Sequence, residues 1–266
     1  MFYYFSQFRR FEKLVHVVTS AHHESTKYFN ISDHTGEGAE NALCNRKTVC
    51  DSVGLNLACL TTGQQVHKTN VFHVKPEDVG RGSDGWSTAI PETDALITNL
   101  IDTPLMVISA DCPLILLYDS DRPAIGVIHA SWRCTFGGII GKTVRMMGEC
   151  FGTNPARIYA GIGPGAGPCC YEIDDAFIQT ISSRPELLPY VVEDDTYDDK
   201  NGKNEKNVRK HFDLFSAGRG ELVRAGLPGS QIEVMGICTI CNENFFSFRR
   251  QGAAAGRFAL MAAIKK

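Results

Sequence analysis

Between Leu105 and Ala130 the chain packs three apolar runs, LMVIS, LILLY and AIGVIH, into 26 residues, the last two parted by DSDRP. The runs are short, rich in β-branched residues and bounded by Asp, Ser and Pro, which predicts buried strands. Past Gly137 and Gly138 the pattern changes period. Ile139, Ile140, Thr143, Val144 and Met147 recur at helical spacing, and Gly152 with Pro155 supplies the stop. RIYAGIG predicts a further strand, Asp174 a helix cap with the helix running through Ile181, Asp213 a second cap with a helix to Gly226, and QIEVMGI a return to strand. From Val192 to Asn207 the sequence VEDDTYDDKNGKNEKN is charged and nearly free of large apolar groups, so it reads as a surface excursion. No repeat of fixed period is present. The expectation is an α+β fold: a single domain over residues 1–266, with a mixed β-sheet flanked by helices.

A chain of 266 residues with 43% hydrophobic content can bury a substantial core. Its formal net charge of −3 gives no basic signature for nucleic acid or an anionic membrane, so neither is expected as a partner and small molecules fit better. The N-terminal MFYYFSQFRRFEKL is aromatic but broken by polar residues before an export-type apolar core forms, and no run of 18 apolar residues occurs. A cytoplasmic location is expected. Ten cysteines without an export signal predict free thiols rather than disulfides. Cys44, Cys50, Cys59, Cys134 and Cys150 sit among apolar or helical neighbours and are expected as small buried hydrophobes.

Three clusters carry metal-competent side chains: Gln65-Val66-His67, Ala110-Asp111-Cys112 and His129-Ala130-Ser131-Trp132-Arg133. Zinc accepts imidazole and thiolate, and three protein ligands leave a fourth tetrahedral position open for catalysis. Spacing alone does not join them, since residues this far apart in sequence are separately explained as core side chains.

Their order with other motifs is more specific. Asn45-Arg46, GQQVH, TDALIT, SADC, HASWR, GIGPGAGPCCYEI, CT and FFSFRR followed by GR run from about Val15 to Lys265. In this order they resemble the YfiH/YlmD laccase-domain family, once called multicopper polyphenol oxidases and now associated with purine nucleoside phosphorylase activity. The resemblance implies zinc on His67, Cys112 and His129, with copper as the less favoured metal. It implies phosphorolysis of adenosine, inosine, guanosine and methylthioadenosine, and deamination of adenosine. The partners are then purine nucleosides and phosphate. Two places depart from the family pattern: HAGWRG is represented by Ser131 and Cys134 in HASWRC, and QVHG by Lys68 in QVHK.

Holding phosphate against a ribose that gains positive charge needs cationic donors. Arg133 and Arg46 are the expected catalytic arginines, with Arg249 and Arg250 behind them. Asp111 and Asp94 are expected to orient a ligand or move a proton, because metal-bound imidazole commonly leans on a carboxylate, and a capping or turn role is an equal alternative for Asp94. Trp132 is placed either against a purine or in the core.

The run Gly161-Ile162-Gly163-Pro164-Gly165-Ala166 meets the loose dinucleotide fingerprint, but Pro164 and Pro168 block the helix that fingerprint requires. A tight loop beside the metal, with backbone N–H groups approaching substrate, is expected instead. Cys238-Thr239-Ile240-Cys241 is a CxxC without a second CxxC or CxxH, so packed thiols are expected there. Competing readings are a copper-dependent polyphenol oxidase, a non-catalytic protein using zinc to fold, a cysteine hydrolase at Cys112 with His129, and an editor of peptidoglycan precursors. Eight histidines without an HxH pair supply few ligands for a multicopper assembly.

Overall fold

The computed structural model describes residues 1–24, 26, 28–194 and 208–266. Five strands form one sheet in the order β1 (Phe2–Tyr3), β2 (Leu14–Thr19), β14 (Phe258–Ile264), β6 (Leu105–Ser109) and β3 (Thr61–Thr62). Six form a second in the order β13 (Ile232–Val234), β9 (Ile158–Ile162), β7 (Leu114–Asp119), β8 (Ala124–His129), β5 (Ala95–Thr98) and β4 (Val71–His73). A small third sheet joins β10 (Glu172–Ile173), β12 (Arg209–Phe212) and β11 (Val191–Asp194). The helices are α1 (Ala42–Ser52), α2 (Trp132–Phe136), α3 (Ile139–Phe151), α4 (Asp175–Ile181), α5 (Leu214–Arg224) and α6 (Phe248–Gln251).

The class is α+β as expected, but the expected mixed sheet is divided among these three. The division falls inside the apolar stretch between Leu105 and Ala130. β6 lies antiparallel to β14 in the first sheet, whereas β7 pairs antiparallel with β8 and β9 in the second. Between them Asp111 adopts φ 92°, a left-handed conformation that turns the chain out of one sheet and into the other.

The two larger sheets pack face to face. Leu105, Val107, Leu260 and Ala262 of the first meet Leu96, Leu114, Leu116, Ile125 and Val127 of the second. Because strand side chains alternate, the intervening residues point outward to a second cover. Met106 and Met261 pack with Val49 and Cys50 of α1, while Ile115, Leu117 and Ile128 pack with Ile140, Val144 and Met147 of α3 and Leu222 of α5. The layers therefore run helix, sheet, sheet, helix. Burial on both faces is why LILLY and AIGVIH are apolar without alternation.

The predicted helices α3, α4 and α5 form. Asp174 accepts the Phe177 N–H at 2.8 Å, Asp213 accepts those of Phe215 and Ser216 at 3.0 Å, and Gly152 ends α3 at φ 67°. The aromatic N-terminus is used as core: Phe5 and Phe8 are fully buried between the sheets. Of the charged excursion, Val192–Asp194 belongs to β11, and 195–207 lies outside the described residues. Cys50 and Cys134 are buried as expected, but Cys44 and Cys150 are exposed and Cys59 is half-buried. Cys44 and Cys150 have helical neighbours yet lie on the outer faces of α1 and α3, so local context did not fix their burial. Among the described residues no helix is long and apolar enough to cross a membrane.

Candidate metal and substrate site

His67 follows the short β3, Cys112 sits on the crossing between the two large sheets, and His129 closes β8. The fold brings their ligand atoms within 4.8 Å of one another. The His67 and His129 rings stand edge to face with centroids 4.8 Å apart.

Asp94, at the entry to β5 and fully buried, organises two of these three side chains. Its carboxylate accepts the successive N–H groups of Val66, His67 and Lys68 at 3.2, 3.0 and 2.9 Å. That wrap holds His67 at φ 59°, a conformation that a non-glycine residue adopts only under local constraint. The same carboxylate lies 2.8 Å from Nδ1 of His129, which leaves Nε2 for the cluster. Asp94 thus closes the turn around His67, the turn role expected as one of its alternatives, and is also placed beside the His129 ring.

Burial alone would raise the pKa of the Cys112 thiol, but His129 and His67 beside it outweigh burial and bring it down to about 6. Burial would likewise depress His129, yet the Cys112 sulfur and the Asp94 carboxylate lift it well above the usual histidine range. Burial would raise Asp94, and its bonds to His129, Lys68 and Val66 keep it below the ordinary value. A thiolate and two imidazoles converging on one point are a donor set suited to a borderline-soft divalent ion. A metal fits here.

The cluster opens into a cavity of about 520 Å³, within the range of small-molecule sites. Its wall carries the aromatic residues Trp86, Trp132, Tyr171 and Phe248 and also Arg249 and Arg257, whose Nη1 atoms donate to the backbone carbonyls of Glu172 and of Ala255 and Gly256. Ser109 also faces it, and its buried hydroxyl has no hydrogen-bond partner among the described residues.

The other expected site residues are distributed differently. Arg46 is displaced from the candidate set: it is 2% exposed and off the cavity wall. Its guanidinium donates to the carbonyls of Ile31 and Gly82 and to Asp33 at 2.9–3.0 Å. Asp33 in turn accepts the Trp86 N–H at 2.7 Å, so Arg46 braces the wall from behind. Arg250 is also structural, donating to the carbonyls of Thr239, Ile240 and Phe245. Arg133 is exposed, lies over the Trp132 ring at 4.4 Å, and has no ion pair among the described residues. Asp111 faces the cavity, but its oxygens accept Thr239 Oγ1 and the Arg249 N–H, both at 2.7 Å, which makes it a positioning group.

The glycine run does not offer its N–H groups to a substrate. Those of Gly163, Gly165 and Ala166 donate to the carbonyls of Leu114, Ile237 and Asp111. Gly165 is required for contact, since a Cβ there would come within 2.7 Å of the Pro113 ring. No helix follows until α4, in line with the exclusion of a dinucleotide fold. Trp132 is half-buried, lining the cavity on one side and packing on Phe177 at 4.9 Å on the other.

Arg257, Tyr171, Phe248, His34 and Trp86 were not anticipated. The first three lie inside motifs the sequence displays, GR, CCYEI and FFSFRR. His34 and Trp86 lie in no motif and meet only in the fold, their rings 5.1 Å apart.

The sequence model described as multi-copper polyphenol oxidoreductase laccase matches residues 16–265. The chain belongs to this family. Among characterised relatives it is 33% identical to purine nucleoside phosphorylase YlmD of Geobacillus stearothermophilus, over 86% of this chain and 80% of that protein. It is 31% identical to adenosine deaminase RL5 of an unknown prokaryotic organism, over 86% of this chain and 84% of that protein. The crystal structure of the hypothetical protein YfiH from Bacillus licheniformis superposes with a TM-score of 0.85 at 29% identity, covering 96% of this chain and 94% of that one. The family expected from the ordered motifs is the family found.

Proposed function

We propose that this laccase-domain family member is a zinc-dependent purine nucleoside enzyme that phosphorolyses adenosine, inosine, guanosine and methylthioadenosine and deaminates adenosine. The observation that carries the proposal is a two-imidazole, one-thiolate cluster open to a cavity that combines aromatic faces with two arginines. A structural zinc site would close its fourth position with protein, whereas this one faces empty volume. The relatives' names point to the same substrate class.

Zinc is favoured over copper on ligand supply. A blue-copper site also draws on two His and one Cys but adds a weak axial Met or Gln. No methionine lines the cavity, and Gln65 has both ends of its amide engaged with Ile108, at 2.7 and 2.8 Å. When bound, zinc supplies Lewis acidity at the open end of the cluster.

The chain's own residues divide the remaining work. Trp132, Tyr171 and Phe248 offer ring faces to a purine, and Ser109 offers a hydroxyl already desolvated and unpartnered. Arg249 and Arg257 hold phosphate on the wall, and Arg133 adds positive charge beside Trp132. In phosphorolysis a phosphate oxygen bonds C1′ as the C1′–N9 bond breaks, giving free base and ribose 1-phosphate. In deamination water adds at C6 and ammonia leaves, giving inosine from adenosine. Asp111 and Asp94 position the Arg249 backbone, His67 and His129 for either reaction. We take residues 1–266 as one catalytic domain, because β14 near the end of the chain is inserted between β2 and β6. Ten cysteines, none of them in a disulfide, suit a reducing, cytoplasmic compartment.

The test is incubation of metal-analysed protein with adenosine, with and without phosphate, and separation of the products. Adenine with ribose 1-phosphate only when phosphate is present, and inosine in either case, is the expected result. Phenol oxidation with copper bound and neither nucleoside reaction would overturn the proposal.

A further inference from the structure

The CxxC at Cys238 and Cys241 finds its partners in Cys169 and Cys170, with Cys241 lying 72 residues along the chain from Cys169. The four sulfur atoms all lie within 4.8 Å of one another. We propose that Cys169, Cys170, Cys238 and Cys241 form a second metal site, a closed tetrathiolate that takes zinc and fastens one wall of the substrate cavity.

Three features of the chain build the site. The turn at Gly167–Cys170, closed by the Cys170 and Tyr171 N–H groups on the Gly167 carbonyl, brings two adjacent thiols to one cluster. The opposing loop 238–241 curls so that the Ile240 and Cys241 N–H groups reach back to the Cys238 sulfur, and the Gly167 N–H reaches it at 3.3 Å. N–H donors aimed at sulfur stabilise a thiolate, the form that ligates metal. Third, the Cys169 and Cys241 sulfurs are 3.9 Å apart. Four sulfurs at ~2.3 Å from a zinc ion in a tetrahedron stand roughly 3.8 Å apart, whereas a disulfide needs ~2.05 Å. Gly167 permits the approach, because a Cβ there would lie 3.0 Å from the Cys238 Cβ.

Four thiolates leave no open position, so the site is structural rather than catalytic. It also has something to hold. Ala166 and Tyr171, flanking the first thiol pair, line the cavity, and Thr239, between the second pair, bonds the Asp111 carboxylate next to Cys112. A metal joining the two loops ties these three elements of the wall together. Cys169 and Cys241 are exposed, which gives an ion a path in.

The test is zinc content of protein purified without added metal, read for wild type, Cys112→Ala and the double variant Cys238→Ser/Cys241→Ser. About two zinc ions per chain in wild type and about one in each variant are expected if both clusters bind. About one in wild type, one in Cys112→Ala and none in the double variant would leave the tetrathiolate standing and remove zinc from the His67 cluster instead. Cobalt loaded into chelator-treated Cys112→Ala should give strong thiolate charge-transfer bands, weakened and shifted in Cys112→Ala/Cys169→Ser. That spectrum decides the matter even where the double variant fails to fold. Zinc undiminished in a folded double variant, cobalt without thiolate bands, or a Cys169–Cys241 disulfide in alkylated, non-reduced wild type would each overturn the proposal.

Discussion

An arginine in a dry interior and an arginine on a cavity wall carry the same charge and do different work. Arg46 has its donors directed to two carbonyls and one carboxylate, and burial lowers its pKa against the support of Asp33. Removing it leaves those acceptors buried or half-buried without partners, a loss of about 3 kcal/mol. Arg257 is half-buried, faces the cavity, and donates through Nη1 to the nearby Ala255 and Gly256 carbonyls. Arg257→Met should therefore raise the KM for phosphate by about tenfold or more, as expected for loss of a charge-assisted contact, with a smaller fall in melting temperature than Arg46→Met because two local carbonyl bonds but no buried ion pair are lost. Arg46→Met should do the reverse, lowering stability while sparing the KM of the protein that remains folded. Phosphate kinetics and thermal melts on both variants check the pair; an unchanged KM in Arg257→Met would remove it from the phosphate site.

At the scale of elements, the N-terminal segment is fastened to β2 by a histidine that must stay neutral. His16 Nε2 accepts the Phe5 N–H at 2.9 Å, with the rings of Phe5 and Phe8 packed around it. Burial lowers its pKa from 6.5 to about 4, with help from Arg9. Between these values the unfolded chain binds a proton that the folded chain does not, so stability falls as pH drops from 6.5 towards 4 and this contribution is complete above 6.5. The contribution at stake is about 3 kcal/mol. Urea unfolding at pH steps across that window should show a steeper acid loss in wild type than in His16→Gln, whose amide oxygen accepts the same N–H without titrating. Parallel curves would show that His16 does not govern the attachment of this segment.

At the scale of the molecule, the candidate metal cluster stands on a fold whose core is built from other residues. The inter-sheet core and the two helix-covered faces bury dozens of apolar side chains without contribution from His67 or Cys112. Cys112→Ala should lose the ion at that cluster and all nucleoside turnover, because two imidazoles bind far more weakly than the full set. It should remain folded, with native circular dichroism and a melting temperature lowered by roughly 5–10 °C, as expected for loss of about 2–3 kcal/mol of ligand stabilisation. Full activity in a metal-free Cys112→Ala protein would refute the assignment of this cluster, and unfolding would show that the core needs the ion.

The sequence by itself determined the local elements and the family: the apolar runs of β6, β7 and β8, the period of α3, the Asp caps of α4 and α5, and the order of motifs that carries His67, Cys112 and His129. These are legible because hydrophobic period and capping chemistry act within a few residues, and because a motif keeps its order whatever the fold does between motifs. The division of the strands between sheets was decided only by the tertiary structure. It turns on one left-handed residue, Asp111, held by Thr239 and the Arg249 N–H from far along the chain. Tertiary packing also decided which arginines face the cavity, since Arg46 and Arg257 look alike as letters and differ only in what surrounds them. It alone joined Cys169 and Cys170 to a CxxC that had no partner in its own neighbourhood, because the distance between thiols is set by how the loops cross and not by how many residues lie between them.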